Sequence, residues 1–303
     1  MNKELLNTRE LAQYLDINEK KIYSLIMEKG LPATKVTGKW LFPKHLVDTW
    51  IDNNIQNYPW MKDKKPETFN EALIITGSND ILLGNILSFF QKKNRDILPL
   101  YSSIGSMNGI NALKKGWCHI CAAHILQKED EEYNISYIKE VFKEEFTIVN
   151  FTYRTQGLIV QVNNPKHIKG IEDLTRPDIR IVNRQSGTGT RLLLEYELEK
   201  YRINAQDIQG YDNVCLSHLD VGIEILSGRA DIGLGIQAVA QMFGLDFIPL
   251  RKERFDLIIR KEIFSDIKIQ AFISFLRSKD TIEYGKRFIG YDLTDMGRIV
   301  YQG

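Results

Sequence analysis

The sequence predicts an α/β fold lying behind a small helical unit, and three observations carry that expectation. From Ala72 onward, short apolar runs alternate with runs of helical spacing, the pattern of an α/β domain with mostly parallel sheets. Before residue 57 the pattern differs: two helical runs about a short turn, then two short strands about a glycine. Between them, residues 57–70 hold Pro59, Pro66 and the charge cluster Lys62-Asp63-Lys64-Lys65 without periodicity, which reads as a linker. The expected division is therefore 1–56, 57–70 and 71–303.

The first unit opens on Thr8–Leu15, a helix with Asn7 and Thr8 as caps and Glu10 placed for a capping box. Asp16-Ile17-Asn18 breaks it, and Asn18 can cap a second helix from Glu19 to about Lys29. There Ile22, Leu25 and Ile26 face inward, while Lys20, Lys21, Tyr23, Ser24 and Lys29 lie outside. Gly30-Leu31-Pro32 stops that helix. Thr34-Lys35-Val36 and Lys39-Trp40-Leu41-Phe42 read as strands about Gly38, and Pro43 starts a third helix ending near Ile55.

In the second unit, strands are expected at 73–76, 97–101, 119–123, 147–151, 158–162, 179–182, 208–211, 231–234, 247–250 and 255–260. In such sheets ligands sit beyond the carboxyl ends of the strands. Three Gly/Ser/Thr-rich loops fall there: 77–80, 102–106 and 185–190. The last, within Asn183-Arg184-Gln185-Ser186-Gly187-Thr188-Gly189-Thr190-Arg191, joins a β-branched run to a helix. Glycines admit close backbone approach, and free helix N–H groups with hydroxyls suit an anion. The same residues also describe a strand-to-helix turn with Thr190 as N-cap. The loop lacks both the lysine of a phosphate-cradling P-loop and G-x-G-x-x-G spacing. The run from Asp280 to Gly303 is mixed: it either finishes the second lobe or serves a dimer contact.

Composition excludes several classes. The 303 residues are 43% hydrophobic and 26% charged with a net charge of +1, ordinary for a globular protein without a polyanion-coating surface. No apolar run reaches the roughly 18–20 residues of a bilayer span, and the mixed N-terminus is no signal peptide. A cytoplasmic protein without a membrane partner is expected. Three cysteines make no disulfide framework. Cys118-His119-Ile120-Cys121 with His124 tempts a zinc reading, yet no second ligand pair accompanies it, and its apolar flanks fit a buried strand with the two thiols on opposite faces. No metal and no cofactor is expected. Ser186 lacks a G-x-S-x-G elbow, and neither a His–Asp pair nor paired carboxylates stand out, so no enzyme is expected.

Over residues 5–55 the chain resembles the excisionase-like, MerR-related winged helix-turn-helix family. The matching residues are Asn7–Ala12, Lys21–Ile26, Gly30–Ala33, the wing Gly38-Lys39-Trp40 and Trp50-Ile51. The resemblance implies contact with a double-stranded DNA operator through Asn18, Lys20, Lys21, Tyr23, Ser24, Lys35, Lys39 and Trp40. Residues 1–66 carry eleven Lys/Arg against eight Asp/Glu. So modest a surplus makes affinity depend on a homodimer. The competing reading is a winged helix that docks a protein.

Residues 72 to about 276 resemble the type II periplasmic-binding-protein-like domain related to molybdate- and tungstate-binding proteins. Gly77–Asp80, Ser103–Ser106, Arg154–Leu158, Asn163–Pro165, Asn183–Arg191, Ile208–Tyr211, Ser217-His218, Ala230–Gly235 and Glu253–Leu257 carry that likeness. It implies two lobes closing over a small anion, of the molybdate or tungstate kind. The expected ligand set is Ser78, Asn79, Ser103, Ser106, His124, Arg154, Ser186, Gly187, Thr188, Gly189, Thr190 and Arg191, with the hydroxyls as donors. Arg154 and Arg191 read equally as inter-lobe ion pairs, and His124 and His218, each beyond a strand, as structural histidines. The combined expectation is a ligand-responsive transcriptional regulator. The alternatives are a regulator sensing a small organic acid, and a binding or enzymatic module of molybdenum cofactor metabolism.

Overall fold

The computed structural model describes residues 4–36, 38–54, 71–127 and 132–303. The chain forms two compact units, Met1–Glu67 and Thr68–Gly303. The expected linker, 57–70, lies outside the described residues.

In the first unit, strand β1 (Leu5–Asn7) leads into helices α1 (Thr8–Tyr14) and α2 (Glu19–Lys29). Strands β2 (Thr34–Lys35) and β3 (Trp40–Pro43) follow, then helix α3 (Lys44–Asn53). Asn7 and Glu10 close the capping box on α1, Asn18 accepts from the Lys21 N–H, and Gly30 ends α2 in the left-handed region. β1 pairs with β3, Leu6 opposite Phe42, making a three-stranded sheet in the order β1-β3-β2. Sequence reading misses β1 because three residues are too short for an alternation signal. Leu11, Ile22, Phe42 and Val47 are fully buried between the helices and this sheet.

The second unit is a ten-stranded sheet with helices on both faces. Its elements are β4 (Ala72–Gly77), α4 (Ile81–Lys93), β5 (Leu98–Ser103), α5 (Ser106–Lys114), β6 (Ile120–Ala123), α6 (Ile135–Val141), β7 (Phe146–Val160), β8 (Ile181–Arg184), α7 (Gly189–Lys200), β9 (Val214–Cys215), α8 (His218–Leu226), β10 (Ile232–Ile236), α9 (Gln237–Phe243), β11 (Asp246–Arg260), α10 (Ile267–Leu276), α11 (Lys279–Gly285), β12 (Tyr291–Asp292) and β13 (Ile299–Gln302). The order runs β5-β4-β6-β11-β7-β10-β8-β9, with β12 and β13 on β7. Pairing is parallel at both ends, β5-β4-β6 and β10-β8-β9, and antiparallel through β6-β11-β7-β10. A mostly parallel sheet is thus corrected to a mixed one.

The reason is that two of the expected breaks do not exist. The apolar run 147–151 and residues 158–160 of the run 158–162 belong to one 15-residue strand, β7, and 247–250 with 255–260 belong to another, β11. Their polar middles pair with each other, Glu253 opposite Arg154 and Lys252 opposite Thr155, so backbone hydrogen bonding continues where hydrophobicity stops. Register shifts flank this stretch between Pro249 and Arg251 and between Phe255 and Asp256. Both lobes therefore hang on the same two strands. One lobe packs α4 and α10 around Leu73, Phe90, Phe151, Phe255 and Phe272, with α5 and α6 on the opposite face. The other packs α7 against one face of β7, β8 and β10, and α8 with α9 against the other.

Three further corrections follow. Residues 208–211 form turns, Ile208 and Tyr211 bonding back to Ala205 and Ile208, and the edge strand is β9 instead. Cys118 precedes β6, accepts from the Thr76 hydroxyl at 3.2 Å, and shares one apolar cluster with Cys121 rather than facing away from it. The C-terminal run completes the first lobe, not the second: β13 pairs with Thr147–Val149, and Met296 and Leu293 join the Phe90 core.

Gly77 ends β4 at φ +123, where an added Cβ would lie 2.1 Å from the Ala122 carbonyl oxygen. Gly77→Ala must push β4 from β6 in a core that cannot yield, an overpacking cost of about 1–3 kcal/mol. Urea denaturation of the full chain is expected to show the larger unit unfolding at lower denaturant.

Candidate functional site

The three loops and the shared strands meet at one cleft. The first loop leaves β4 through Gly77 and ends at Asp80, whose carboxylate caps α4 by accepting from the Leu83 N–H at 2.7 Å. The second leaves β5, and the N–H groups of Ile104 and Gly105 both donate to the Gly77 carbonyl at 2.9 Å. The third leaves β8 and turns at Gly187 before α7. The Met107 N–H donates to the Gly187 carbonyl at 3.2 Å, so loops from the two lobes touch.

Beneath them lies a buried polar cluster. Arg154 on β7 donates through Nε to Glu253 on β11 and through a terminal nitrogen to Asp80 at 2.6 Å. Tyr291 donates to the same Asp80 carboxylate at 2.9 Å. Gln156 Nε2 donates to Glu253 Oε2 at 2.5 Å, and His124 Nδ1 sits 2.7 Å from that oxygen. On its far side His124 Nε2 lies 2.7 Å from Ser78 Oγ. A serine, a histidine and a carboxylate therefore stand in a hydrogen-bonded row, an arrangement sequence spacing does not reveal because 46 and 129 residues separate the partners. The expectation that no His–acid pair stands out is thereby corrected.

Charge follows burial. Burial pushes the His124 pKa down, and Arg154 and Arg184 add to this against the pull of Glu253. Burial, then Arg184, Arg154 and His124, hold His218 well below the ordinary histidine range. Burial alone would raise Glu253, but Arg154 and His124 outweigh it and its pKa is lowered. Arg184 is pushed down to about 10 by burial and by the neighbouring Arg154 guanidinium.

Arg184 decides what the cleft can hold. It is 3% exposed, and one terminal nitrogen donates to the Leu216 carbonyl at 2.8 Å. Among the described residues its Nε and other terminal nitrogen have no hydrogen-bond partner, nor do a terminal nitrogen of Arg154, Nδ1 of His218 or Oε1 of Gln156. Leaving a buried polar atom unmatched costs about 1–3 kcal/mol, so these atoms hold unused hydrogen-bonding capacity. Arg154 is neutralised by two carboxylates, whereas Arg184 has no carboxylate in hydrogen-bond contact among the described residues.

The structure brings Ser78, Ser106, His124, Arg154, Thr188, Gly189 and Thr190 together as buried residues. Gly189 is required there: a Cβ would lie 2.5 Å from the His124 ring. Asn79 bridges the Ser103 hydroxyl and the His218 N–H at 3.2 and 3.3 Å. Ser103 and Ser186 are exposed at the rim, and Gly187 contributes its carbonyl to the loop contact. Arg191 turns away, ion-paired with Glu195 at 2.8 Å and stacked on Tyr211. The N-cap of α7 is Thr188, not Thr190, because the Thr188 oxygen receives the Arg191 N–H. Sequence reading assigns no role to Arg184, Gln156, Asp80 or Glu253. The one available signal is Arg184, a charge closing a buried β-branched run.

In the first unit, Lys20, Lys21, Tyr23, Lys35 and Lys39 are exposed and Trp40 is half-buried beneath Lys35, whose Nζ sits 5.5 Å from the ring centroid. Asn18 is committed to its cap, and Ser24 donates to Glu28 at 2.9 Å.

Comparison with known proteins matches residues 5–55 to a helix-turn-helix domain and residues 87–277 to a PBP superfamily domain. The chain is 31% identical over 304 residues to the uncharacterized protein YvgK of Bacillus subtilis (strain 168), covering 97% of this chain and 96% of that protein. Among solved structures, it is similar to a putative phosphate ABC transporter substrate-binding protein with bound phosphate from Clostridium perfringens. That match has TM-score 0.54 and 17% identity over 73% of this chain and 98% of the other. A tungstate ABC transporter protein from Geobacter sulfurreducens aligns with TM-score 0.52 and 13% identity, covering 72% and 99%. At those identities the likeness shows the fold alone. No helix among the described residues is long and apolar enough to cross a membrane, and no cluster of His, Cys, Asp and Glu there could hold a metal ion.

The two buried imidazoles predict an acid-sensitive fold. Their folded pKa values lie below the ordinary 6.5, so above that pH neither state binds a proton. Below it the unfolded chain takes up protons that the folded cleft refuses, and stability is lost as pH falls. Urea midpoints of the full chain are expected to drop between pH 7.5 and 5.5, and to drop less in His218→Gln.

Proposed function

The chain belongs to the PBP superfamily and carries a helix-turn-helix domain ahead of that domain, and from this premise we propose a ligand-responsive DNA-binding regulator. The larger domain binds a small oxyanion in the cleft between its lobes, and the helix-turn-helix reads an operator as a homodimer in the cytoplasm. Molybdate and tungstate, phosphate and small organic acids are the ligand classes this reading admits.

One observation carries it: the buried, carboxylate-free Arg184 with two unmatched nitrogens beside the Gly/Thr loop. A guanidinium in that position forms charge-assisted bonds to an oxyanion, worth about 1.5–3 kcal/mol each. The N-terminus of α7 adds a dipole of the same sign, while the Thr188 hydroxyl hydrogen is spent on the Gln185 carbonyl at 2.8 Å. Arg154 serves chiefly as the counter-ion of Asp80 and Glu253, with one nitrogen left for the guest. Binding, not turnover, is the proposed chemistry. The ligand regulates by differential affinity for the open and closed lobes, the only way a ligand shifts such an equilibrium.

A thermal-shift panel of oxyanions and small acids on the full chain is the first experiment. A true ligand at about 100 times its dissociation constant stabilises the larger unit by roughly 2.7 kcal/mol. Arg184→Met is expected to weaken that ligand tenfold or more while the chain still binds DNA. No response to any anion would remove the ligand half of the proposal. For the DNA half, footprinting of the upstream promoter at low salt is expected to show protection. Lys20→Ala and Lys21→Ala should each weaken binding evenly across sequences and lower the salt slope by roughly 1.

A further inference from the structure

The row Glu253–His124–Ser78 fixes which atoms the cleft offers its guest. Glu253 is a carboxylate, held so by Arg154 and His124. It lacks hydrogens, so each hydrogen bond to it is donated by its partner. His124 therefore carries its hydrogen on Nδ1, facing Glu253 at 2.7 Å, and as a neutral ring it has a lone pair on Nε2. Ser78, 2.7 Å from Nε2, must donate its single hydrogen there. What Ser78 Oγ has left is lone pairs. The same carboxylate orients Gln156: its amide nitrogen points at Glu253, so its carbonyl oxygen, buried and unmatched, is the free end. One carboxylate thus turns two side chains that could have been donors into acceptors, opposite in polarity to the donors on Arg184 and Arg154.

Building on the oxyanion reading, we propose that the cleft selects an anion that carries its own hydroxyl hydrogen, of the hydrogenphosphate or hydroxy-carboxylate type, over anions without one. The arginines take the negative oxygens, and the Ser78 and Gln156 oxygens take the hydrogen. A tetrahedral dianion without a hydrogen, such as sulfate, molybdate or tungstate at neutral pH, places an oxygen lone pair against theirs. Such a mismatch in a buried site discriminates more strongly than size does, because the site's buried groups remain unpaired. A dianion avoids that mismatch by bringing a proton to His124, which Arg154 and Arg184 oppose and Glu253 favours, or by turning the Ser78 hydrogen toward itself, which leaves His124 Nε2 buried and unpaired.

The test uses matched pairs on the full chain by isothermal titration calorimetry at pH 7.5: phosphate against sulfate, phosphate against molybdate and tungstate, and lactate against propionate. The hydrogen-bearing member of at least one pair is expected to bind tenfold or more tightly. Ser78→Ala removes an acceptor but keeps the backbone bonds of residue 78, and should collapse that preference to within about threefold. Ser78→Thr keeps the hydroxyl and should preserve it. Molybdate, tungstate or sulfate binding as tightly as phosphate, with Ser78→Ala changing neither, would overturn the proposal and leave the oxyanion reading standing. If no anion binds the wild-type chain in thermal shift or calorimetry, the oxyanion reading and this refinement fall together.

Discussion

The chemistry of the cleft depends on the carboxylate of Glu253. It sits 1% exposed in the middle of β11, facing Arg154 across the ladder, and takes hydrogen bonds from Arg154, Gln156 and His124. A buried charge of this kind is tolerable only when fully paired, and removing one partner of such a pair typically costs 3–5 kcal/mol. The pairing has two results. It uses up most of Arg154, whereas Arg184 has no carboxylate in hydrogen-bond contact among the described residues. It also sets the hydrogen positions on His124, Ser78 and Gln156, so one buried carboxylate determines the polarity those side chains present.

The position of that carboxylate matters as much as its charge. β7 and β11 run unbroken through both lobes, and their register shifts lie on either side of the Glu253–Arg154 pair. Shifts of this sort bend and twist a strand locally. The ends of β8 and α7 on one side, and the β4 and β5 loops on the other, therefore converge beside the strands the two lobes share. The contact between Met107 and Gly187 shows the lobes touching, the state in which a guest would be enclosed. Enclosure strengthens the arginine contacts because water no longer screens them. The Ser–His–Glu row has the order of a nucleophile relay, but its carboxylate is shared with Arg154 and Gln156.

Much of this architecture is legible residue by residue. Asn7 with Glu10, Asn18 and Gly30 announce the helices of the first unit, since caps act locally and leave local signatures. The loops at 77–80, 102–106 and 185–190 announce the cleft for the same reason. The unbroken β7 and β11 are not legible, because the polar residues at their centres look like loops until a partner strand satisfies their backbone. Thr188 rather than Thr190 caps α7, a shift of two residues that only helix geometry decides. Arg191 and Arg154 have the same chemistry in sequence, yet one pairs along its own helix and the other across two strands.

The sequence by itself determined the two-part organisation, the helix-turn-helix with its wing, the α/β class and the loops that form the cleft. These follow from periodicity, caps and glycine placement, which act over a few residues. Only the tertiary structure decided which charges are spent and which remain. Arg184 has no carboxylate in hydrogen-bond contact among the described residues, Arg154 is neutralised by residues 74 and 99 positions away, and Ser78 faces His124 across 46 residues. Hydrogen-bond direction and charge compensation belong to the set of groups in contact, and chain folding alone brings that set together.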